Sequence, residues 1–156
     1  MDTLSHIDAK GRLAMVDVST KPVQRRIARA SGVIHMTAET VALVRENAIA
    51  KGDVLTAGRI AGIQAAKDTG RLIPLCHPLG LDHVDVEAEL IEEGVRVTSQ
   101  VVSSGRTGAE MEALTAVAIA LLTVYDMCKA VDKSMCITNV TLLEKRKEDI
   151  EHQPIG

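Results

Sequence analysis

Asp126, Lys129 and Lys133 close a long apolar run, in the segment Tyr125-Asp126-Met127-Cys128-Lys129-Ala130-Val131-Asp132-Lys133. On a helix turning about 100° per residue, the three fall within an arc of about 60° on one face. A carboxylate and two amines so placed can move protons and hold phosphate. Lysines near a helix C-terminus also have an ordinary use, complementing the helix dipole. An aspartate has none there, because the negative end of the dipole disfavours it, and a residue set against its local preference points to a site. A lysine close to another cation and partly desolvated has its pKa lowered toward neutrality, which suits acid–base work.

A second reactive group stands in Arg71-Leu72-Ile73-Pro74-Leu75-Cys76-His77-Pro78, where a histidine meets a turn fixed by proline. A histidine at a strand end is as often structural as functional. Cys76, His77 and His83 could instead ligate zinc, but their spacing fits no familiar zinc pattern and supplies one plausible thiolate. Lys51, Arg25, Arg26 and Lys67 are candidate phosphate ligands, each equally at home as a solvated surface charge. Thr107-Gly108-Ala109-Glu110 reads as a capping box, which engages Glu110 and leaves Glu112 without a local duty. No P-loop or dinucleotide glycine fingerprint occurs, so phosphate would be held by side chains and isolated amides.

Met111-Glu112 and Asp126-Lys129 sit near opposite ends of one expected helix, about 15 residues or roughly 22 Å apart at 1.5 Å per residue. One small substrate cannot readily span that distance within a single chain. If both pairs serve, a second subunit completes the site, and the protein is an obligate oligomer.

These residues need a scaffold. Val23 to Met36 loosely alternates apolar and polar residues and predicts a strand. Thr37 is expected to cap a helix ending near Lys51-Gly52, and Asp53 a second one stopped by Thr69-Gly70. The second helix carries Ala57, Gly58, Ala61, Gly62, Ala65 and Ala66, small residues that suit close packing against another backbone. Val84 to Val102 has period two around Glu92-Glu93-Gly94, which predicts a β-hairpin. The main helix opens at the capping box and runs to about Ala130, apolar nearly all round and therefore buried. Cys136 to Leu143 predicts a last strand. Residues 1–20 read as a flexible arm and 144–156 as a charged, frayed tail. With no repeat or linker, the chain reads as one domain over residues 1–156: an α+β fold of ferredoxin-like topology, with helices on one side of an antiparallel sheet.

Composition narrows the function. The 156 residues are 46% hydrophobic with one Tyr and no Phe or Trp, and the net charge is −3. Nucleic-acid partners are therefore not expected: no aromatic platform exists for stacking bases, and no overall positive field attracts a phosphate backbone. Cys76, Cys128 and Cys136 are isolated and read as reduced thiols of a cytoplasmic protein. No apolar run is expected to reach the ~20 residues of a membrane span, so no membrane association is expected.

Six segments stand in a familiar order: Met15-Val16-Asp17-Val18-Ser19 with Lys21, Lys51-Gly52-Asp53-Val54 and Arg59-Ile60-Ala61-Gly62-Ile63. Then come Leu72-Ile73-Pro74-Leu75-Cys76-His77-Pro78-Leu79, Glu110-Met111-Glu112-Ala113-Leu114-Thr115-Ala116, and Tyr125-Asp126-Met127-Cys128-Lys129-Ala130 with Asp132-Lys133. Their pattern is a resemblance to the cyclic pyranopterin monophosphate synthases, the molybdenum cofactor biosynthesis protein C family. It implies a lyase converting (8S)-3′,8-cyclo-7,8-dihydroguanosine 5′-triphosphate to cyclic pyranopterin monophosphate with release of diphosphate. It further implies a ferredoxin-like protomer in a hexamer, a trimer of dimers with sites at dimer interfaces. Asp126 and Lys129 match the catalytic pair, while Leu75, Cys76, His77, Met111 and Glu112 match substrate-binding segments. Lys51, Arg25 and Arg26 match basic residues of the pocket, and Lys133, in the last matching segment, is counted with the substrate-binding residues. No protein-bound cofactor or metal is implied; Mg2+ is expected only as a companion of the substrate triphosphate.

The chain departs from the family at Gly80, where a second proline is usual, and at residues 144–149, where a Gly-Gly-Lys-Ser-Gly run is common. A rival reading keeps the same scaffold for a non-catalytic nucleotide-binding regulator, since fold alone does not fix function. Such a regulator would have no need of Asp126 and Lys129.

Overall fold

A computed structural model describes residues 6–150. The elements run β1 (Gln24–His35), α1 (Ala38–Arg45), α2 (Val54–Leu72), β2 (Leu81–Ile91), β3 (Gly94–Gly105), α3 (Glu110–Cys128) and β4 (Cys136–Glu148). The four strands are antiparallel in the order β2-β3-β1-β4. This is the ferredoxin-like arrangement expected from the sequence, with one additional helix between β1 and β2.

The predicted hairpin forms with a two-residue turn, Ile91 facing Gly94. Gly94 has φ +152°, and a Cβ there would run into the Ile34 carbonyl of β1, so the close approach of β3 to β1 requires glycine. The central strand β1 buries Ala28, Ala30 and Ile34 against the helices. Helix α3 supplies the other half of the core through Ala113, Ala116, Val117, Ala120, Leu121 and Val124, all fully buried. Contrary to the sequence expectation, α3 is long and apolar enough to cross a bilayer, yet half of its apolar window is covered by the protein's own sheet and helices.

Several boundaries differ from expectation. Helix α1 stops at Arg45 because Asn47 turns left-handed, at φ 53°, and the chain then loops through Ile49 to Lys51. Helix α2 is capped by Asp53, whose carboxylate accepts from the Thr56 amide at 3.0 Å. It continues past Gly70 to Leu72 and ends where Ile73, preceding Pro74, takes the extended backbone that proline imposes. Gly70 serves packing: a Cβ there would lie 3.1 Å from Pro78 Cα. The capping box does not form. Ala109 is the N-cap of α3 without a side-chain bond, and Glu110 pairs instead with Lys145 at 2.7 Å.

β4 is longer than predicted. Residues 144–148, expected to fray, pair with Arg25–Arg29 of β1. Opposed charges hold that edge, Arg25 with Glu148 at 3.1 Å and Arg29 with Glu144 at 3.7 Å. In the N-terminal arm, residues 6–20 form no helix, and Ile7 bridges Leu13. Residues 1–5 of the arm and 151–156 of the tail lie outside the described part.

Small residues bring α2 onto α3. At Gly62 an added Cβ would meet the Ala116 carbonyl oxygen at 2.9 Å and Val86 Cγ1 at 3.0 Å. Helix propensity alone favours Gly→Ala by about 1 kcal/mol, whereas forcing a methyl into a close-packed contact costs about 1–3 kcal/mol. Gly62→Ala is therefore expected to lower stability in chemical denaturation, by about 1 kcal/mol or more. A midpoint at or above that of the parent would show that the two helices separate freely.

Candidate active site

Helix α3 carries a cluster of candidate site residues at each end. At its N-terminal end a cavity of about 390 Å³ is lined by Leu75, Cys76, His77, Met111 and Glu112. All five were predicted as substrate-binding, from two segments more than 30 positions apart in sequence. The loop between α2 and β2 supplies the first three. Its turn is closed by the Cys76 amide donating to Ile73 O at 3.1 Å. At Gly80, where the family's second proline is usual, an added Cβ would meet nothing within 4 Å.

The His77 Nε2 lies 2.7 Å from the Val16 carbonyl oxygen. A carbonyl can only accept, so Nε2 carries the hydrogen and Nδ1 is left for other duty. The arm is thus part of the wall, with Val16, Val18 and Lys21 facing the cavity. Glu112 is buried, 4% exposed, and that burial, with Glu110 nearby, pushes its carboxyl pKa up. Burial also raises the Cys76 thiol, aided by Glu112 and Glu110, which disfavours a thiolate. No group of three or more His, Cys, Asp or Glu among the described residues is gathered to hold a metal, and His83 faces a different cavity on β2.

At the other end of α3, Asp126 is held between two ammonium groups. Lys129 Nζ lies 2.7 Å from Oδ1, and Lys51 Nζ donates to Oδ2 at 2.8 Å and to the Asp126 carbonyl at 2.9 Å. The bond from Lys129, then that from Lys51, holds the Asp126 carboxyl at about 2. Asp126 in turn raises the Lys129 pKa. This corrects the expectation of a lowered lysine pKa: the nearest charge is the carboxylate, and Lys129 is an ammonium at neutral pH. The three side chains are about half exposed in the single chain.

Lys133 leaves this group. Helix α3 ends at Cys128, and the amides of Val131 and Asp132 turn back onto the Cys128 carbonyl at 3.0 Å. Lys133 lies beyond that turn, exposed, and the face shared with Asp126 and Lys129 is broken. Arg25 and Arg26 also separate, because successive strand residues face opposite ways. Arg26 joins Lys145 and Lys147 beside the start of α3, whereas Arg25 lies on the other face of the sheet and is paired with Glu148.

Two features escaped sequence reasoning. One is the basic group just named, because Lys145 and Lys147 read as tail; their period-two spacing was the available signal. The other is Asp132, 4% exposed, which ties the end of α3 to the start of α1. It accepts from the Thr37 amide at 2.8 Å, the Ser134 amide at 2.9 Å and the Ser134 hydroxyl at 2.7 Å. Burial alone would raise its carboxyl, but these bonds and the Thr40 hydroxyl outweigh it and hold the pKa at about 2. An acid two residues before a serine, after a helix end, is a readable turn signal.

A depressed carboxyl pKa contributes stability above its unfolded value, and that contribution is lost as pH falls toward the folded value. Asp132→Asn is expected to cost about 2 kcal/mol at pH 7, the deficit shrinking between pH 4 and 2. Urea unfolding across that range checks it. A pH-independent deficit would mean that the charge is irrelevant.

The sequence profile of the MoaC family matches residues 15–148, which carry both ends of α3 and the strands around them. The chain belongs to the MoaC family. Cyclic pyranopterin monophosphate synthase 1 of Mycobacterium tuberculosis is 56% identical over 143 residues, covering 91% of this chain and 84% of that protein. The cyclic pyranopterin monophosphate synthase of Novosphingobium aromaticivorans is 53% identical over 146 residues, covering 94% and 93%. Molybdenum cofactor biosynthesis protein 1 of Drosophila melanogaster is 51% identical over 154 residues, covering 96% of this chain but 27% of its own length. Membership of this family bears out the resemblance read from the sequence.

Proposed function

We propose that this chain is a cyclic pyranopterin monophosphate synthase. It would convert the 3′,8-cyclised dihydro-GTP to cyclic pyranopterin monophosphate and diphosphate, an early step of molybdenum cofactor biosynthesis. The observation that carries the proposal is Asp126 bonded to both Lys51 and Lys129. Asp126 keeps Lys129 protonated and oriented, so Lys129 enters as a proton donor as the guanine-derived ring opens and the pyranopterin closes.

Lys51 and Arg26, brought together from two protomers, would offset charge on the triphosphate. A substrate hydroxyl attacks the innermost phosphorus; the bond to the bridging oxygen breaks and diphosphate leaves, closing the cyclic phosphate. Mg2+ would travel with the triphosphate. Leu75, Cys76, His77, Met111 and Glu112 would seat the rest of the substrate.

The two half-sites at opposite ends of α3 favour an assembly in which each site takes its cavity from one protomer and its Lys51–Asp126–Lys129 group from another. A hexamer built as a trimer of dimers fits that need. Location in the cytoplasm belongs to the same proposal. Incubating the purified protein with the cyclised GTP derivative and assaying diphosphate tests the reading. Binding without turnover would favour the regulator instead.

A further inference from the structure

We infer that Lys147 is an anion-binding residue, extending the proposed substrate pocket with a charge that receives phosphate oxygens. Its assignment to substrate phosphate rests on the synthase reading; the anion site itself rests on the geometry below.

The β1–β4 register sets Lys147 directly opposite Arg26. Like charges facing each other across a ladder are unfavourable. The rest of this edge avoids that conflict: Arg25 pairs with Glu148, Arg29 with Glu144, Arg146 with Glu148 at 3.0 Å, and Lys145 with Glu110. Among the described residues Lys147 makes no ion pair, and Arg26 donates only to the carbonyls of Gly105 and Arg106, at 3.5 and 3.4 Å. Two facing cations without an ion pair, on an edge otherwise matched charge for charge and with Glu110 already shared with Lys145, leave room for an acidic occupant.

The surroundings show what kind. Directly opposed residues share a sheet face, so Arg26 and Lys147 point the same way as Gly32, whose position abuts Leu121 and Val117 of α3. They therefore face the helix layer. There a cavity of about 440 Å³ is lined by Lys21, Arg26, Arg106, Lys145 and Lys147, with Glu110 as its single acid. Glu110 is already engaged by Lys145 at 2.7 Å, so the cavity retains a strong positive charge. It shares Lys21, Thr107, Gly108 and Glu110 with the His77 cavity. A substrate seated against His77 would thus present its phosphates to Lys147 without crossing open solvent. Several convergent nitrogen donors in a small concavity suit the clustered oxygens of a polyphosphate.

The test is binding of inorganic tripolyphosphate to the full chain by calorimetry, with melting temperatures and product assays on the same preparations. Lys147→Gln is expected to weaken binding about tenfold, the share of one charge-assisted bond. It should melt no lower than the parent, because a repulsive pair is removed. Lys147→Glu should pair with Arg26, melt higher and bind more weakly still. Arg29→Gln, a charge lost from the opposite face, should stay within about twofold of the parent.

Binding by Lys147→Gln within about twofold of the parent, no binding by the parent, or a marked drop in melting temperature would each overturn the inference. Parent protein that makes product while binding is indifferent to Lys147 upholds the synthase reading and removes this residue. Lys147-dependent binding without product does the reverse.

Discussion

Lys129→Ala is expected to abolish turnover of the cyclised GTP derivative, by about 10²–10⁴-fold, the usual contribution of a positioned acid. The change removes an exposed side chain at the end of α3 and no core contact, so circular dichroism and sedimentation should match the parent. Asp126→Asn should act differently. Asp126 raises the Lys129 pKa through a 2.7 Å bond. Without the carboxylate, Lys129 deprotonates at lower pH, and the alkaline limb of the rate profile should shift toward neutrality. Turnover by Lys129→Ala within about tenfold of the parent would take Lys129 out of proton transfer. An alkaline limb unmoved in Asp126→Asn would leave Asp126 a purely structural partner.

The opposing directions of those two pKa shifts also show where sequence reasoning reached its limit. Helical spacing correctly placed Asp126 and Lys129 together, since an i,i+3 pair is a local property. It placed Lys133 with them only by carrying the helix past Cys128. Lys51 lies 75 positions from Asp126 and is brought there by the Asn47 turn and the Asp53 cap, whose combined path no local pattern specifies.

The hairpin was legible because its apolar residues recur with period two, and β1 more loosely so, through Ala28, Ala30 and Ile34 on its buried face. The end of β4 was not. Residues 144–148 hold no apolar residue, and their strand is stabilised by cross-strand charge with Arg25 and Arg29 instead of burial. The same blindness hid the basic cavity at Arg26, Lys145 and Lys147. Glu110 was misassigned for a related reason: its true partner, Lys145, is distant in sequence, and Lys145 outcompeted a local cap.

Mixing two inactive variants should restore activity. In the proposed assembly, His77→Ala damages the cavity at the start of α3 and Lys129→Ala damages the group at its end. The two lie roughly 22 Å apart on the helix scale of 1.5 Å per residue, too far for one small substrate within one protomer. Each variant alone is damaged in every site. A mixed dimer holds one site with both lesions and one with neither. Random reassortment makes about half the dimers mixed, so equimolar subunits should regain about a quarter of parental activity after unfolding and refolding together. Mixing without reassortment should yield nothing. A co-refolded sample as inactive as its components, with mixed dimers verified by tagged purification, would place the whole site within one chain. Asp126 would then have to reach its substrate from the solvent face of α3, paired with Lys51 and Lys129 among the described residues.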